Sequence, residues 1–237
     1  MSVEYIGLFS GGKDSLVTCH KAWKDGIMNE VIYCRTGVGL NEDYVKETCK
    51  QYGWKLIIVE PAKHETFEIF VKRFSFPHQG MHGAIMGFLK GHPLRKWNRE
   101  QKKLGRKIIY LSGRRLSESA RRKRMKSNTE KANFDGMNMW SYIFKMSTIE
   151  VWKYIGEHDL KRSPTYETMH LSGDCLCGSF STKGESAFLK MFHPDLAKRF
   201  LELEKKYGGK WGNQISLSDM EHQTQLDDMI CSECIVD

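Results

Sequence analysis

No stretch of this 237-residue chain holds the roughly 20 consecutive apolar residues that a membrane helix needs, which excludes a protein built on such helices. The opening residues MSVEYIGLFSGGKDS lack the succession of basic region, apolar stretch and small-residue cleavage site that marks an export signal, so a cytoplasmic location is expected. No internal repeat or low-complexity tract occurs, which sets aside solenoids and arrays. A disordered chain is not expected either, because hydrophobic residues make up 40% and charged residues 28%, ordinary values for a folded domain. In a reducing compartment the seven cysteines are not read as disulfides, and close pairs among them become candidates for metal or cluster ligation.

Acidic residues are scarce from Arg95 to Lys131, where 15 Lys and Arg stand against 3 Asp and Glu. The whole chain carries only +8, so the basicity is local. It points to a polyanion, either nucleotide phosphates or the backbone of a tRNA or DNA. A solvated helix face would give the same run of charge.

The apolar run Val3 to Phe9 ends in Ser-Gly-Gly, as a buried parallel strand entering a turn does. Leu16, Val17, His20 and Trp23 then recur at helical spacing until Gly26 stops the pattern. The alternation repeats: strand at Val31 to Cys34, helix at Glu42 to Tyr52, strand at Lys55 to Val59, helix at His64 to Arg73, and a further strand at Lys107 to Leu111. This order predicts an α/β fold, a doubly wound parallel sheet with helices on both faces and right-handed crossovers. Ligands of such sheets bind beyond the carboxyl ends of the strands, where Ser10 to Ser15, Thr36 to Gly39 and Ser112 to Arg115 would gather. The stretch Phe74 to Gly91 is expected to be an irregular loop or short helix, and Thr148 to His158 a helix capped by Ser147 or Thr148 with Glu150 in its first turn. Beyond Gly173 the character changes. A helical hairpin, Glu185 to Tyr207 interrupted near Pro194, leads to a polar tail ending Cys-Ser-Glu-Cys. The expected division is a nucleotide-binding α/β domain over 1–172 and a small helical, cysteine-bearing region over 173–237.

Phosphate binding at a helix start needs backbone N–H groups that converge on the anion, and glycines permit both the turn and the close approach. Gly11 and Gly12 meet that need. Lys13 supplies a mobile positive charge, and Ser10 and Ser15 supply hydroxyl donors. Asp14 is out of place beside an anion unless it orients Mg²⁺ or another cationic partner. Neither the Walker spacing nor the dinucleotide pattern is present; a plain Gly-Gly turn before a helix is the alternative.

Ser10-Gly11-Gly12-Lys13-Asp14-Ser15 resembles the PP-loop of the adenine nucleotide α-hydrolase superfamily. Within it, most of the first 180 residues resemble the phosphoadenosine phosphosulfate (PAPS) reductase family. Thr36-Gly37 sits where that family has Asp-Thr-Gly, with Arg35 in place of the acidic residue. Phe76-Pro77 and Lys90 to Arg95 resemble its Phe-Pro and Lys-x-x-Pro-Leu segments. The run Gly113-Arg114-Arg115-Leu116-Ser117-Glu118-Ser119-Ala120-Arg121-Arg122 fits its Gly-x-Arg-x-x-Glu-Ser-x-x-Arg element. Physically, Arg115 and Arg122 would clamp phosphate or sulfate oxygens with forked donors while Glu118 holds one guanidinium; a charged surface helix would spell the same letters. Thr148, Val151, Trp152 and Tyr154, followed by Pro164-Thr165-Tyr166, resemble the family's Trp-x-Tyr helix and its Pro-Leu-Tyr.

Cys175 and Cys177 form a C-x-C and Cys231 and Cys234 a C-x-x-C. Brought together they would make a four-thiolate site for a [4Fe–4S] cluster, with Zn²⁺ as the alternative. An exposed dithiol at the C-terminus, or a redox pair at Cys175 and Cys177, is the plainer account. Cys19, Cys34 and Cys49 are expected in helix or strand as core residues. His78, His82 and His92 are expected to make local hydrogen bonds. Glu233-Cys234 resembles the start of the reductases' Glu-Cys-Gly-x-His tail, but Ile235, Val236 and Asp237 do not continue it.

The resemblance implies an enzyme that binds Mg·ATP at Ser10 to Ser15 and cleaves the α–β bond to adenylate an acceptor, in sulfur metabolism or nucleic-acid thiolation. Lys13, Asp14 and Arg115 would be its catalytic residues, with Thr36, Gly37, Gly113, Glu118, Ser119 and Arg122 around the nucleotide. A thiol-dependent reductase of adenylyl sulfate or PAPS, with Cys234 as nucleophile, is the second implication. A nucleotide- or nucleic-acid-binding module without turnover is the third, and a homodimer is left open.

Overall fold

The computed structural model describes residues 2–117, 129–134, 136–169, 176–179, 183–209 and 211. Among them six strands form one sheet in the order β3-β2-β1-β4-β6-β5. The first five elements are β1 (Val3–Leu8), α1 (Lys13–Lys24), β2 (Met28–Cys34), α2 (Glu42–Tyr52) and β3 (Lys55–Val59). After α3 (Phe67–Phe74) comes a short helical tract: a 3₁₀ turn at Gln79–Met81, α4 (His82–Met86) and a π-helical turn at Gly87–Gly91. It runs into α5 (His92–Lys103), then β4 (Lys107–Ser112). β5 (Lys131–Phe134) and β6 (Met137–Ser141) follow. The chain then forms α6 (Thr148–Glu157), α7 (Pro164–Met169), α8 (Lys183–Phe192) and α9 (Pro194–Tyr207).

β3, β2, β1, β4 and β6 run parallel to one another, and only the edge strand β5 is antiparallel, against β6. The apolar strand runs are explained by burial on both faces. Val31 and Tyr33 of β2 enter the core beneath α1, α2 and α6, with Leu16, Val45 and Val151. Ile32 between them joins Ile6, Val59 and Tyr110 under Leu94 of α5. The doubly wound arrangement expected from the alternation is therefore present. A third cluster joins Phe67 and Phe70 of α3, Ile85 and Leu89 of the short helical tract, and Leu189, Ala197 and Phe200 of α8 and α9. Through it the C-terminal helices rest on α3 and α4.

Several elements differ from expectation. The helix anticipated from His64 starts at Phe67, because Thr66 is the N-cap and its hydroxyl accepts from the Ile69 N–H. The tract Phe74 to Gly91 is mostly helical. α5 and the β5–β6 pair were not anticipated.

Candidate functional site

β1 is the point at which the strand order reverses, with β2 and β3 on one side and β4 on the other. The crevice at the carboxyl ends of β1 and β4 is the usual ligand position of an open α/β sheet. Both loops singled out in the sequence open there, Ser10 to Ser15 after β1 and Gly113 to Arg115 after β4.

The first loop is held from within and from behind. The Ser15 hydroxyl donates to the Gly12 carbonyl at 2.8 Å, and the Gly12 N–H points at the Ser10 hydroxyl at 3.4 Å. Gly11 takes φ +85, and a Cβ there would meet the Asn41 side chain at 2.7 Å. Asn41, fully buried, donates from Nδ2 to the Ser10 carbonyl at 3.1 Å and accepts from the Ser163 hydroxyl at 2.5 Å. This strut spans residues far apart in the chain and carries no local signal, which is why sequence reasoning missed Asn41 and Ser163. Thr36 is buried nearby, its hydroxyl accepting from the Val38 N–H at 3.3 Å. The Gly37 carbonyl accepts from Arg199 of α9 at 2.6 Å.

The second loop presses against the first. A Cβ on Gly113 would lie 2.7 to 2.8 Å from backbone atoms of Asp14 and Ser15, so only glycine lets the end of β4 approach the start of α1. Arg115 is 1% exposed. Its Nε donates to Asp14 Oδ1 at 3.1 Å, and its Nη1 reaches the Ser117 and Thr148 hydroxyls at 3.2 and 3.1 Å. The cationic partner that Asp14 required is this guanidinium. Expected as an oxygen clamp, Arg115 sits as a buried tie between the β4 loop, α1 and the start of α6.

Lys13 and Arg162 both lie against Trp152, Lys13 Nζ at 5.4 Å and Arg162 Cζ at 5.4 Å from the ring centroid. Arg162 also stacks on Tyr166 at 4.9 Å and pairs with Glu167 at 2.6 Å. Gly11, Gly12, Lys13, Arg162, Ser163 and Tyr166 line a small pocket at the loop. The wall opposite the first loop is thus aromatic and cationic. Arg162 was not singled out by sequence.

Arg35, standing where the resemblance has an acidic residue, is bound by Glu42 through two bonds of 2.7 Å and by Glu60 at 2.9 Å. The paired guanidinium pulls the Glu42 carboxyl down to about 2. Cys19 and Cys49 are buried in the core, and burial pushes both thiols up, Cys49 to about 12. His78 accepts from the Gly80 N–H and His92 pairs with Glu65 at 3.1 Å. Cys177 is buried, its sulfur 3.1 Å from the Ser179 hydroxyl and 3.9 Å from His82 Nδ1. Glu118, Ser119, Arg122, Cys175, Cys231 and Cys234 lie outside the described residues, as does the stretch 118–128 of the basic segment 95–131. Among the described residues no group of three or more His, Cys, Asp or Glu side chains is placed to hold a metal, and no helix is long and apolar enough to cross a membrane.

Comparison with known proteins adds three findings. A search of the curated proteins found no match. Among solved structures, the crystal structure of phosphoadenylyl-sulfate (PAPS) reductase from Candida auris, a phosphate complex, is similar with a TM-score of 0.50 and 18% identity. The likeness covers 70% of this chain and 77% of that one, and it concerns the fold. The family model for the phosphoadenosine phosphosulfate reductase domain matches residues 4–179, which spans both loops, Trp152 and the Cys177 turn; the chain belongs to the PAPS reductase domain family.

Proposed function

We propose that this chain binds an adenine nucleotide with its phosphates over Ser10 to Ser15 and, as Mg·ATP, cleaves the α–β bond by adenylating an acceptor. The observation that carries the reading is the packing of Gly113 onto the backbone at Asp14 and Ser15, which places two loops at the strand-order reversal around one helix start. The acceptor's nucleophile forms a bond to the α phosphorus, the bond to the bridging oxygen breaks, and pyrophosphate leaves. Lys13 and the loop N–H groups take up the phosphate charge. Arg115 fixes the Asp14 carboxylate at the start of α1, where Asp14 would help hold the Mg²⁺ of the nucleotide, and Thr36, Gly37, Gly113, Glu118, Ser119 and Arg122 would contribute to the nucleotide site. Where the acceptor is a base of tRNA or DNA, the cations of segment 95–131 track its backbone. Cys175, Cys177, Cys231 and Cys234 would hold a metal centre, a [4Fe–4S] cluster or Zn²⁺, and the thiol of Cys177 has the donor chemistry for either.

The family match and the likeness to a PAPS reductase favour a second reading, thiol-dependent reduction of a sulfonucleotide. There Cys234 attacks the sulfur, the nucleotide leaves, and an external dithiol releases sulfite while forming a disulfide. Pyrophosphate release from Mg·ATP with candidate acceptors supports the first reading, and sulfite release from PAPS or adenylyl sulfate with reduced thioredoxin supports the second. Lys13→Ala is expected to slow the productive reaction by about 10²- to 10³-fold. Salt-dependent nucleic-acid binding that survives Lys13→Ala, with neither product formed, would instead mark a module without turnover.

A further inference from the structure

The loop that carries the chain from β3 into α3 faces the first two turns of α5 across a cleft of about 800 Å³, and no step of the nucleotide chemistry uses it. We infer that this cleft binds the phosphodiester backbone of a nucleic acid, with Lys63 on one wall and Lys96 and Arg99 on the other. The inference rests on the reading above in which the acceptor is a nucleic-acid base, and it deepens that reading by naming the seat of the backbone and adding a wall from outside segment 95–131.

Charge is the first argument. Four Lys and Arg side chains line the cleft against two Glu. Both carboxylates are already engaged, Glu60 by Arg35 at 2.9 Å and Glu65 by His92 at 3.1 Å. Among the described residues no carboxylate pairs with Lys63, Lys96 or Arg99. Along α5, Arg99 stands three residues after Lys96 and four after Arg95, and Lys103 four after Arg99. Like charges at such spacings destabilise a helix, and a bound anion relieves the repulsion. Spacing is the second. A lone phosphate is best held by donors that converge on it, whereas these cations are strung from Arg95 to Lys103, about 12 Å of helix, with Lys63 across from them. A polymer with a negative charge every few ångströms matches that row. No Phe, Tyr or Trp lines the cleft, so it offers no platform on which a base would stack and engages the backbone alone. Position is the third. β3 ends at Val59, two strands from β1, so its loop opens roughly 10 Å from the first loop on the same rim of the sheet. α5 leads into β4, which is parallel to β1, and its first turns therefore lie at that rim as well. A polynucleotide seated in the cleft lies beside the crevice that holds Ser10 to Ser15.

The test uses the full chain with a labelled single-stranded RNA, the DNA of the same sequence, and tripolyphosphate, by fluorescence anisotropy over a salt series and by calorimetry. Lys63→Ala, Lys96→Ala and Arg99→Ala together should weaken oligonucleotide binding at least about 30-fold and flatten the slope of log affinity against log salt by about 2, because each lost contact to a single strand removes about 0.7. Lys198→Ala, Lys205→Ala and Lys206→Ala in α9 make the same change in net charge and should leave that slope as it was. Binding that survives the first variant, or falls equally in the second, overturns the inference and leaves the cleft a solvated charged face. Uptake of tripolyphosphate with no oligonucleotide bound also overturns it, since the cleft is then a small-anion site. Oligonucleotide binding lost only in the first variant, with no pyrophosphate released from Mg·ATP in its presence, keeps the cleft and removes adenylation of a base; pyrophosphate release with a small acceptor and no nucleic acid bound does the reverse. If the triple variant fails to fold, Lys63→Ala and Arg99→Ala taken singly decide, each read as a slope change of about 0.7.

Discussion

Arg115 ties the site together more than any other side chain in it. Its charge is buried and shared with Asp14, so removing it leaves a carboxylate that loses its guanidinium in a half-dry setting. Arg115→Met is expected to lower stability by about 3 kcal/mol in urea denaturation. Adding Asp14→Asn should recover part of that loss, and a strictly additive double variant would refute the coupling. Gly113 is constrained by space and not by charge. With backbone 2.7 Å from the position of a Cβ, Gly113→Ala must push the β4 loop off α1. Nucleotide affinity measured by calorimetry should fall at least about tenfold, while an alanine that bound normally would show that the two loops need not touch.

Among the elements, α6 shows the clearest local logic. The Ser147 hydroxyl accepts from the Glu150 N–H at 3.2 Å, and the Glu150 carboxylate accepts from the Ser147 N–H at 2.7 Å, a capping box. α6 carries Trp152, against which Lys13 lies, and presents Thr148 to Arg115. Ser147→Ala should cost about 1 kcal/mol of stability and loosen the site, read as a lower thermal midpoint together with weaker nucleotide binding. The cap of α6, the period of α1 and α2 and the apolar strands were legible because each is decided within a few residues. The β5–β6 pair was not, although Asp135-Gly136 between short runs is a hairpin signal, because its polar strands resemble the basic segment before them. α5 escaped for a related reason: its lysines and arginines hide the burial of Leu94 and Asn98, and the Tyr110 hydroxyl that donates to Asn98 at 2.8 Å arrives from β4.

For the whole molecule, acid stability follows from groups that link elements. His20 of α1 is buried against Tyr154 and His158 of α6 and its aftermath, with Nδ1 3.0 Å from the Tyr154 hydroxyl. Burial first, then the nearby charges of His158 and Lys24, lowers its pKa from the ordinary 6.5 to about 4. A depressed folded value means that the unfolded chain takes up the proton first as pH falls. The His20 contribution is therefore complete above pH 6.5 and lost between 6.5 and about 4. Denaturant midpoints should decline through that window, and His20→Gln should flatten the decline; an unchanged slope would place the titrating group elsewhere. Below it, Glu42 with Arg35, and Glu4 and Glu30 with Arg106, have depressed carboxyls, so their share is lost as pH falls below the ordinary 4.5, for Glu42 down to about 2. The α/β class, the order of the early elements and the Gly-Gly turn at the start of α1 could be read from the chain because hydrophobic period, turn residues and glycine placement are local properties. What folding alone settled was partnership: that Asp14 answers Arg115, that Asn41 and Ser163 brace Ser10, that Arg162 faces the loop, and that Cys177 meets His82. Each joins residues tens of positions apart, and such distances close only when the sheet order brings their elements side by side.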